Sequence, residues 1–311
     1  MRDLTAVSLA LGLGWLAGAG IAAADESAAP VYGTPQAALE ALADALQSEE
    51  IDLVIDAIDP SAGDLVRSED PDEMRATMAD LLGQYQAGYR FVPSGADRVI
   101  IDLGEDDWPF PVPLVRAEGG WRFDAEAGRE EVAAREVGRN ELDVIEALGE
   151  YVELQAAYRR VDHDGDGVME FAAAILSSET ARDGLYWDGP ESPVGDLVAR
   201  ASLDGFAEGA QASEAEPFLG YYFRILDEQG PNAPGGAMSY IVNGNMVAGH
   251  ALLAVPAEYD VTGVHSFMVG ENGIVYEADL GPDTLEAAVD LVSFDPGEGW
   301  TPLAPEPPAG N

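Results

Sequence analysis

The sequence predicts an α+β protein of two packed subdomains: an N-terminal cone of helices and antiparallel sheet, then a C-terminal unit of one long helix and antiparallel sheet. Three observations predict it. Apolar residues recur at helical spacing as far as Leu82 and then alternate from Tyr89 to Phe123. A second long helical pattern runs from Asn140 to Val161. The alternating runs after it are separated by Asn243-Gly244 and Asn272-Gly273, strong short-range hairpin signals. The expected divisions are a leader over 1–24, a linker over 25–33, subdomains over 34–137 and 138–302, and a disordered tail over 303–311.

The first helix starts at Thr34-Pro35, a capping residue followed by proline at the first helical position, and buries Ala38, Leu39, Leu42 and Leu46. A second spans Ile51 to Ile58 and stops at Asp59-Pro60. A third begins at Asp70-Pro71 and carries Met74, Met78, Leu81 and Leu82. Tyr89 to Val92, Arg98 to Leu103, Phe110 to Arg116 and Trp121 to Phe123 read as strands. Pro109, Pro111 and Pro113 remove alternate donors, which makes their strand an edge. Gly119-Gly120 marks a turn. Helices followed by a curled sheet are similar in element order to the nuclear-transport-factor-2-like fold.

Ala125 to Val137 is helical, Gly138 interrupts it, and Asn140 caps the central helix. Leu142, Ile145, Leu148, Val152, Gln155 and Tyr158 form its buried stripe. Phe171 to Leu176 continues as a short helix, and Ser192-Pro193 starts another that reaches Ala201. Glu208 to Glu216 is expected to form a mobile loop. Strands follow over Gly220 to Leu226, Ser239 to Val242, Met246 to Val255, Ser266 to Val269 and Ile274 to Ala278, with a last helix from Pro282-Asp283 to Leu291.

Fifteen basic residues face 58 acidic ones, a formal net charge of −43, and none of the basic residues is lysine. Such a surface repels nucleic acid and anionic lipid and attracts cations. Arg2, the apolar run Leu4 to Ile21 and Ala22-Ala23-Ala24 have the three parts of a secretory signal, so the mature chain is expected to be periplasmic or secreted. An uncleaved anchor is the alternative reading of that run. No later stretch is long and apolar enough to span a bilayer. The absence of cysteine excludes disulfides, thiol chemistry and lipoprotein attachment.

The loop Asp162-His163-Asp164-Gly165-Asp166-Gly167 repeats the opening half of a calcium-binding EF-hand loop: carboxylates at alternate positions and glycine at the sixth. The twelfth position, where a bidentate Glu belongs, is Ala173, and the nearest acid is Glu170. The candidate metal ligands are therefore Asp162, Asp164, Asp166 and Glu170, with Ca2+ as the ion. A polar turn is the alternative. His163, His250 and His265 are the histidines; the last two fall on predicted neighbouring strands, an arrangement that would let them face each other, but the absence of cysteine and of a close histidine pair argues against a zinc site. Ser266 and His265 are adjacent in a strand and point to opposite faces, which argues against a hydrolytic pair. Gly230 to Gly236 reads as a rigid exposed loop, either a connector or a ligand-binding lid. Trp108, Trp121, Tyr186, Trp187, Tyr221 and Tyr222 line either a core or a pocket. Arg122, Arg139 and Arg182 are each expected to have a carboxylate partner.

Several motifs resemble one exported bacterial family. They include Asp107-Trp108-Pro109-Phe110-Pro111, Gly120-Trp121-Arg122-Phe123-Asp124, Gly138-Arg139-Asn140-Glu141-Leu142 and the Asp162 to Gly167 loop. Arg182 to Trp187, Gly230 to Gly236 and Pro256-Ala257-Glu258-Tyr259 complete the set. The resemblance is to the domain-of-unknown-function family numbered 2950, and it implies no particular activity. A long helix followed by Gly220-Tyr221-Tyr222-Phe223, Ala254-Val255-Pro256 and Thr262-Gly263 also resembles the globular region of type II secretion pseudopilins, without the prepilin peptidase site.

These readings lead to a non-enzymatic binding or cell-envelope assembly protein, whose partner is an envelope protein or a small ligand. One alternative is a hydrolytic enzyme with an unrecognised carboxylate site, using Asp106 and Asp107 or Glu258 and Asp260. The other is a purely structural exported domain.

Overall fold

The computed structural model describes residues 28–68, 70–178, 182–203 and 215–303. The expected leader, most of the 208–216 loop and nearly all of the tail lie outside the described residues. Helices and antiparallel sheets coexist, so the protein is α+β. The chain divides into two units, Met1–Arg129 and Glu130–Asn311.

In the first unit, α1 (Pro35–Ser48) is capped by Thr34, whose hydroxyl accepts from the Ala37 N–H at 3.1 Å. Its buried face is Ala38, Leu39, Leu42, Ala43, Ala45 and Leu46. Next come α2 (Ile51–Ile58), the short α3 (Gly63–Val66) and α4 (Pro71–Ala87), the last capped by the Asp70 carboxylate on the Asp72 and Glu73 N–H groups. The sheet contains β1 (Tyr89–Pro93), β2 (Arg98–Leu103), β3 (Trp108–Pro109), β4 (Leu114–Ala117) and β5 (Gly120–Phe123). Its order is β1-β2-β4-β5, with β3 also on β2 and every pair antiparallel. Leu42, Ile101, Leu103, Leu114 and Phe123 are fully buried in its core. Tyr32 exchanges both backbone hydrogen bonds with Trp121 at 2.7 Å, so the approach to α1 is fastened to the sheet.

The expected strand over Phe110 to Arg116 is broken. Ladder pairing stops at Pro109 and resumes at Leu114. Pro111 and Pro113 have no N–H to offer, and the Phe110 and Val112 side chains are buried instead.

Helix α5 (Ala125–Tyr158) corrects two expectations. It passes through Gly138 without a break, because one glycine costs a helix only about 1 kcal/mol and the flanking turns are sound. Asn140 is therefore not a cap; its side-chain amide donates to the Thr262 carbonyl at 3.0 Å. The buried face is also rotated. Val144, Leu148, Tyr151, Gln155 and Tyr158 are buried, whereas Leu142 is 69% exposed. Two tyrosines can sit on that face because each hydroxyl reaches a carbonyl: Tyr151 that of Ala251, Tyr158 that of Arg182.

The rest of the second unit is built on a five-stranded antiparallel sheet. Its strands are β8 (Tyr221–Leu226), β13 (Ala251–Pro256), β14 (His265–Gly270), β15 (Val275–Asp279) and β16 (Thr301–Pro302), in the order β16-β15-β14-β13-β8. Every residue of β8 and β13 is buried, so both faces of the sheet are covered there. On one face α7 (Thr284–Asp290) is held by Arg224, which donates to the Ala288 carbonyl at 2.9 Å.

Short ladders surround this sheet: β6 (Ala174–Leu176) pairs in parallel with β7 (Gly184–Tyr186), β9 (Glu228–Gln229) with β10 (Met238–Ser239), and β11 (Ile241–Val242) with β12 (Asn245–Met246). The helix expected over Phe171 to Leu176 is absent. Its backbone groups are committed elsewhere, Phe171 N–H to the Met246 carbonyl and both Ala172 groups to the Gln155 side chain. The helix expected from Ser192 begins later, as α6 (Asp196–Arg200), because the Ser192 hydroxyl is engaged by the Trp187 N–H and the Val194 carbonyl. Asn243 and Gly244 turn the β11–β12 hairpin with φ of 56° and 96°, the left-handed pair that a two-residue turn requires.

Gly263 illustrates how tightly this unit is packed. A Cβ there would lie 2.0 Å from the hydroxyl of fully buried Tyr221, which donates to the His265 carbonyl. Gly263→Ala is expected to destabilise by about 2 kcal/mol, as overpacking does. The cost should be smaller in a Tyr221→Phe background; urea melts that give equal costs in both backgrounds would refute the contact.

Candidate functional site

The acidic loop leaves the C-terminal end of α5. Asp162, Asp164 and Asp166 each bring one carboxylate oxygen to within 4.8 Å of the others. The loop is shaped by its own backbone. Asp162 accepts from the Gly165 N–H at 2.7 Å and the Gly167 N–H at 3.0 Å, and these bonds hold its carboxyl below the usual carboxylate range. Asp164 accepts from the Asp166 N–H, and Asp166 from the Val168 N–H. Gly165 and Gly167 take φ of 81° and 89°, so the two turns have glycine where the backbone is left-handed.

Glu170 stands outside the converging set. Its Oε2 accepts from the Met246 N–H at 2.8 Å. Partial burial raises its pKa, and the charges of Asp164, Asp166 and Asp183 push in the same direction. A second tie to the β11–β12 hairpin comes from Asn245, which donates to Asp166. His163 faces away from the carboxylates: its ring stacks on Tyr158 at 4.1 Å and tilts against Trp187 at 5.6 Å. The loop is therefore anchored on three sides, to α5, to Trp187 just beyond β7 and to the hairpin. Its chemistry is that of hard, anionic oxygens, which suits a divalent cation and offers no nucleophile.

The other candidates are dispersed. His250 and His265 do not face each other. His250 is buried between Tyr151 and Phe171, ahead of β13, while His265 opens β14 opposite Asp279. The pairing Ala251↔Gly270 carries the two histidines to opposite ends of the strands. Sequence reasoning missed the partner of His265, which is Glu141 on α5. That carboxylate accepts from the Val264 and His265 N–H groups, each at 2.9 Å, and lies 3.2 Å from His265 Nδ1. Ser266 Oγ is buried and has no hydrogen-bond partner.

Glu258 and Asp260 are exposed, as are Asp106 and Asp107, and Asp107 pairs with Arg90 at 3.1 Å. Arg182 has its expected partner in Glu191 at 3.5 Å, but among the described residues neither Arg122 nor Arg139 lies within ion-pair distance of a carboxylate. Tyr221 and Tyr222 belong to the core, whereas Trp108 is exposed. The Gly230 to Gly236 segment is ordered by Gln229, whose amide donates to the Pro234 and Gly236 carbonyls, and by Asp295, which accepts from Asn232. Beside it lies a recess of about 340 Å³ lined in part by Met238, Tyr240 and Phe294.

No curated protein and no solved structure matches the chain. Residues 29–303 match the family described as "Protein of unknown function (DUF2950)". This protein, over nearly all of its described length, is a member of the DUF2950 family.

Proposed function

We propose that this chain is an exported, non-enzymatic binding or envelope-assembly protein whose 162–170 loop takes up calcium. The observation that carries the reading is the convergence of Asp162, Asp164 and Asp166 oxygens within 4.8 Å. Those three would hold the ion, with Glu170 as the fourth carboxylate of the loop. The net charge of −43 favours cations over the whole surface, and among the described residues no helix is long and apolar enough to cross a membrane. Calcium outside cells is abundant enough to load sites of about 10⁻⁴–10⁻³ M affinity. The carboxylate pairs weighed for hydrolysis lend that alternative no support, since all four side chains are exposed and Asp107 is engaged by Arg90.

Thermal melts test the reading. At ~10 mM calcium, a site of that affinity stabilises by about 1.4–2.7 kcal/mol, a rise in Tm of roughly 3–10 °C. Magnesium at equal ionic strength is the control, because any salt relieves repulsion in so acidic a chain. Asp164→Ala combined with Asp166→Ala removes two of the three converging oxygens, so it should abolish the calcium-specific part. Superimposable curves in calcium and magnesium would sink the proposal.

A further inference from the structure

The second unit contains another recess, of about 540 Å³, that shares no residue with the acidic loop. One wall is the face of α5 that carries Leu154. Around it stand Ile175 of β6, Leu185 of β7, Val198 of α6, and Phe218 and Phe223 at and within β8. The volume falls in the range of small-ligand sites, and these walls are apolar. Among the described residues, the charged groups at this recess are Glu150 and Glu153, both exposed and three residues apart on α5, hence on one face of the helix. Tyr151 also lines the recess, and its hydroxyl is committed to the Ala251 carbonyl at 3.1 Å. Among the described residues no arginine lines the recess, and the chain contains no lysine. An anionic amphiphile would therefore meet two carboxylates with nothing to pair its head group, and a fully apolar molecule would leave the acidic rim unused. We infer that this recess binds a small amphiphile with an apolar tail and a cationic head.

Displacement of a neutral fluorophore, N-phenyl-1-naphthylamine, from the full chain tests this. EDTA is present throughout, so the outcome is independent of calcium at the acidic loop. Decyltrimethylammonium, decanol and decyl sulfate are compared below their micelle concentrations. One molecule per chain should displace the probe, in the affinity order ammonium, alcohol, sulfate. Lengthening the tail from octyl to decyl should tighten binding roughly fourfold per methylene. Glu150→Gln combined with Glu153→Gln should lower the ratio of ammonium to alcohol affinity about fivefold and leave the alcohol unchanged. Val198→Trp intrudes on the recess and should weaken displacement by all three; if circular dichroism shows that variant unfolded, the double-glutamine ratio decides. Decanol that displaces no probe, displacement unaffected in a folded Val198→Trp, or an unchanged ratio in the double variant would overturn the inference.

Discussion

Gln155→Ala is expected to destabilise the protein by about 3–5 kcal/mol, the largest effect of any single side chain considered. Gln155 is 0% exposed. Its amide donates to the Ala172 carbonyl at 2.9 Å and to the Tyr151 hydroxyl at 3.1 Å, and its carbonyl accepts from the Ala172 N–H at 2.9 Å. One side chain on α5 thus satisfies both backbone groups of a buried residue seventeen positions away. Alanine leaves a donor and an acceptor without partners in an apolar site and opens a cavity as well. Gln155→Leu separates the two terms, since it fills the volume and still strands Ala172. Urea unfolding with an unchanged m-value measures both variants. A Gln155→Leu protein as stable as the parent would show that water reaches Ala172, and would remove the hydrogen-bond argument.

Acidification should reveal the second large effect, at His250. The ring is 1% exposed, packed against Tyr151 and Phe171, and its Nδ1 has no hydrogen-bond partner. Burial, assisted by the charge of Arg159, lowers its pKa from 6.5 to about 4. Below 6.5 the unfolded chain therefore binds a proton that the folded chain refuses. The stability contributed by this group is complete above pH 6.5 and is lost as pH falls towards about 4. The loss is about 3 kcal/mol. Two other terms run the opposite way: the net charge of −43 relaxes on acidification, and Glu170, with its raised pKa, gains stability as it protonates. The contrast with His250→Phe isolates the histidine. Stability of the parent relative to that variant should decline steadily between pH 6.5 and 4; parallel pH profiles would mean that His250 is not held neutral by burial.

Legibility in the sequence followed the distance over which each element is decided. Thr34-Pro35 and Asp70-Pro71 are local chemistry, a side-chain oxygen beside the N–H groups it caps, and the helices start where those pairs stand. The same holds for Asn243-Gly244, whose two residues tolerate positive φ. The alternate spacing of Asp162, Asp164 and Asp166 likewise brings their oxygens together, because a loop with glycine at two left-handed positions folds back on itself within a few residues.

What failed was decided elsewhere in the chain. Nothing near Phe171 to Leu176 reveals that Gln155 and Met246 will take its backbone groups. Nothing near His265 points to Glu141, 124 residues away. Leu142 and Val144 both fit a helical stripe, and the stripe that is buried carries Tyr151, whose carbonyl acceptor belongs to a strand a hundred residues away. Asn140 looks like a cap by composition and serves Thr262 instead.

The position of the acidic loop at the end of a 34-residue helix has an electrostatic consequence. The aligned peptide groups of α5 form a macrodipole whose negative pole, equivalent to roughly half an elementary charge, lies at Tyr158, and its influence extends over about a turn. Asp162 follows within four residues. The loop carboxylates therefore add to a pole of their own sign, where the opposite end of the helix would have neutralised them. A cation held there would offset the helix as well as the loop, adding to Arg159 and Arg160, which follow the last turn of α5 directly.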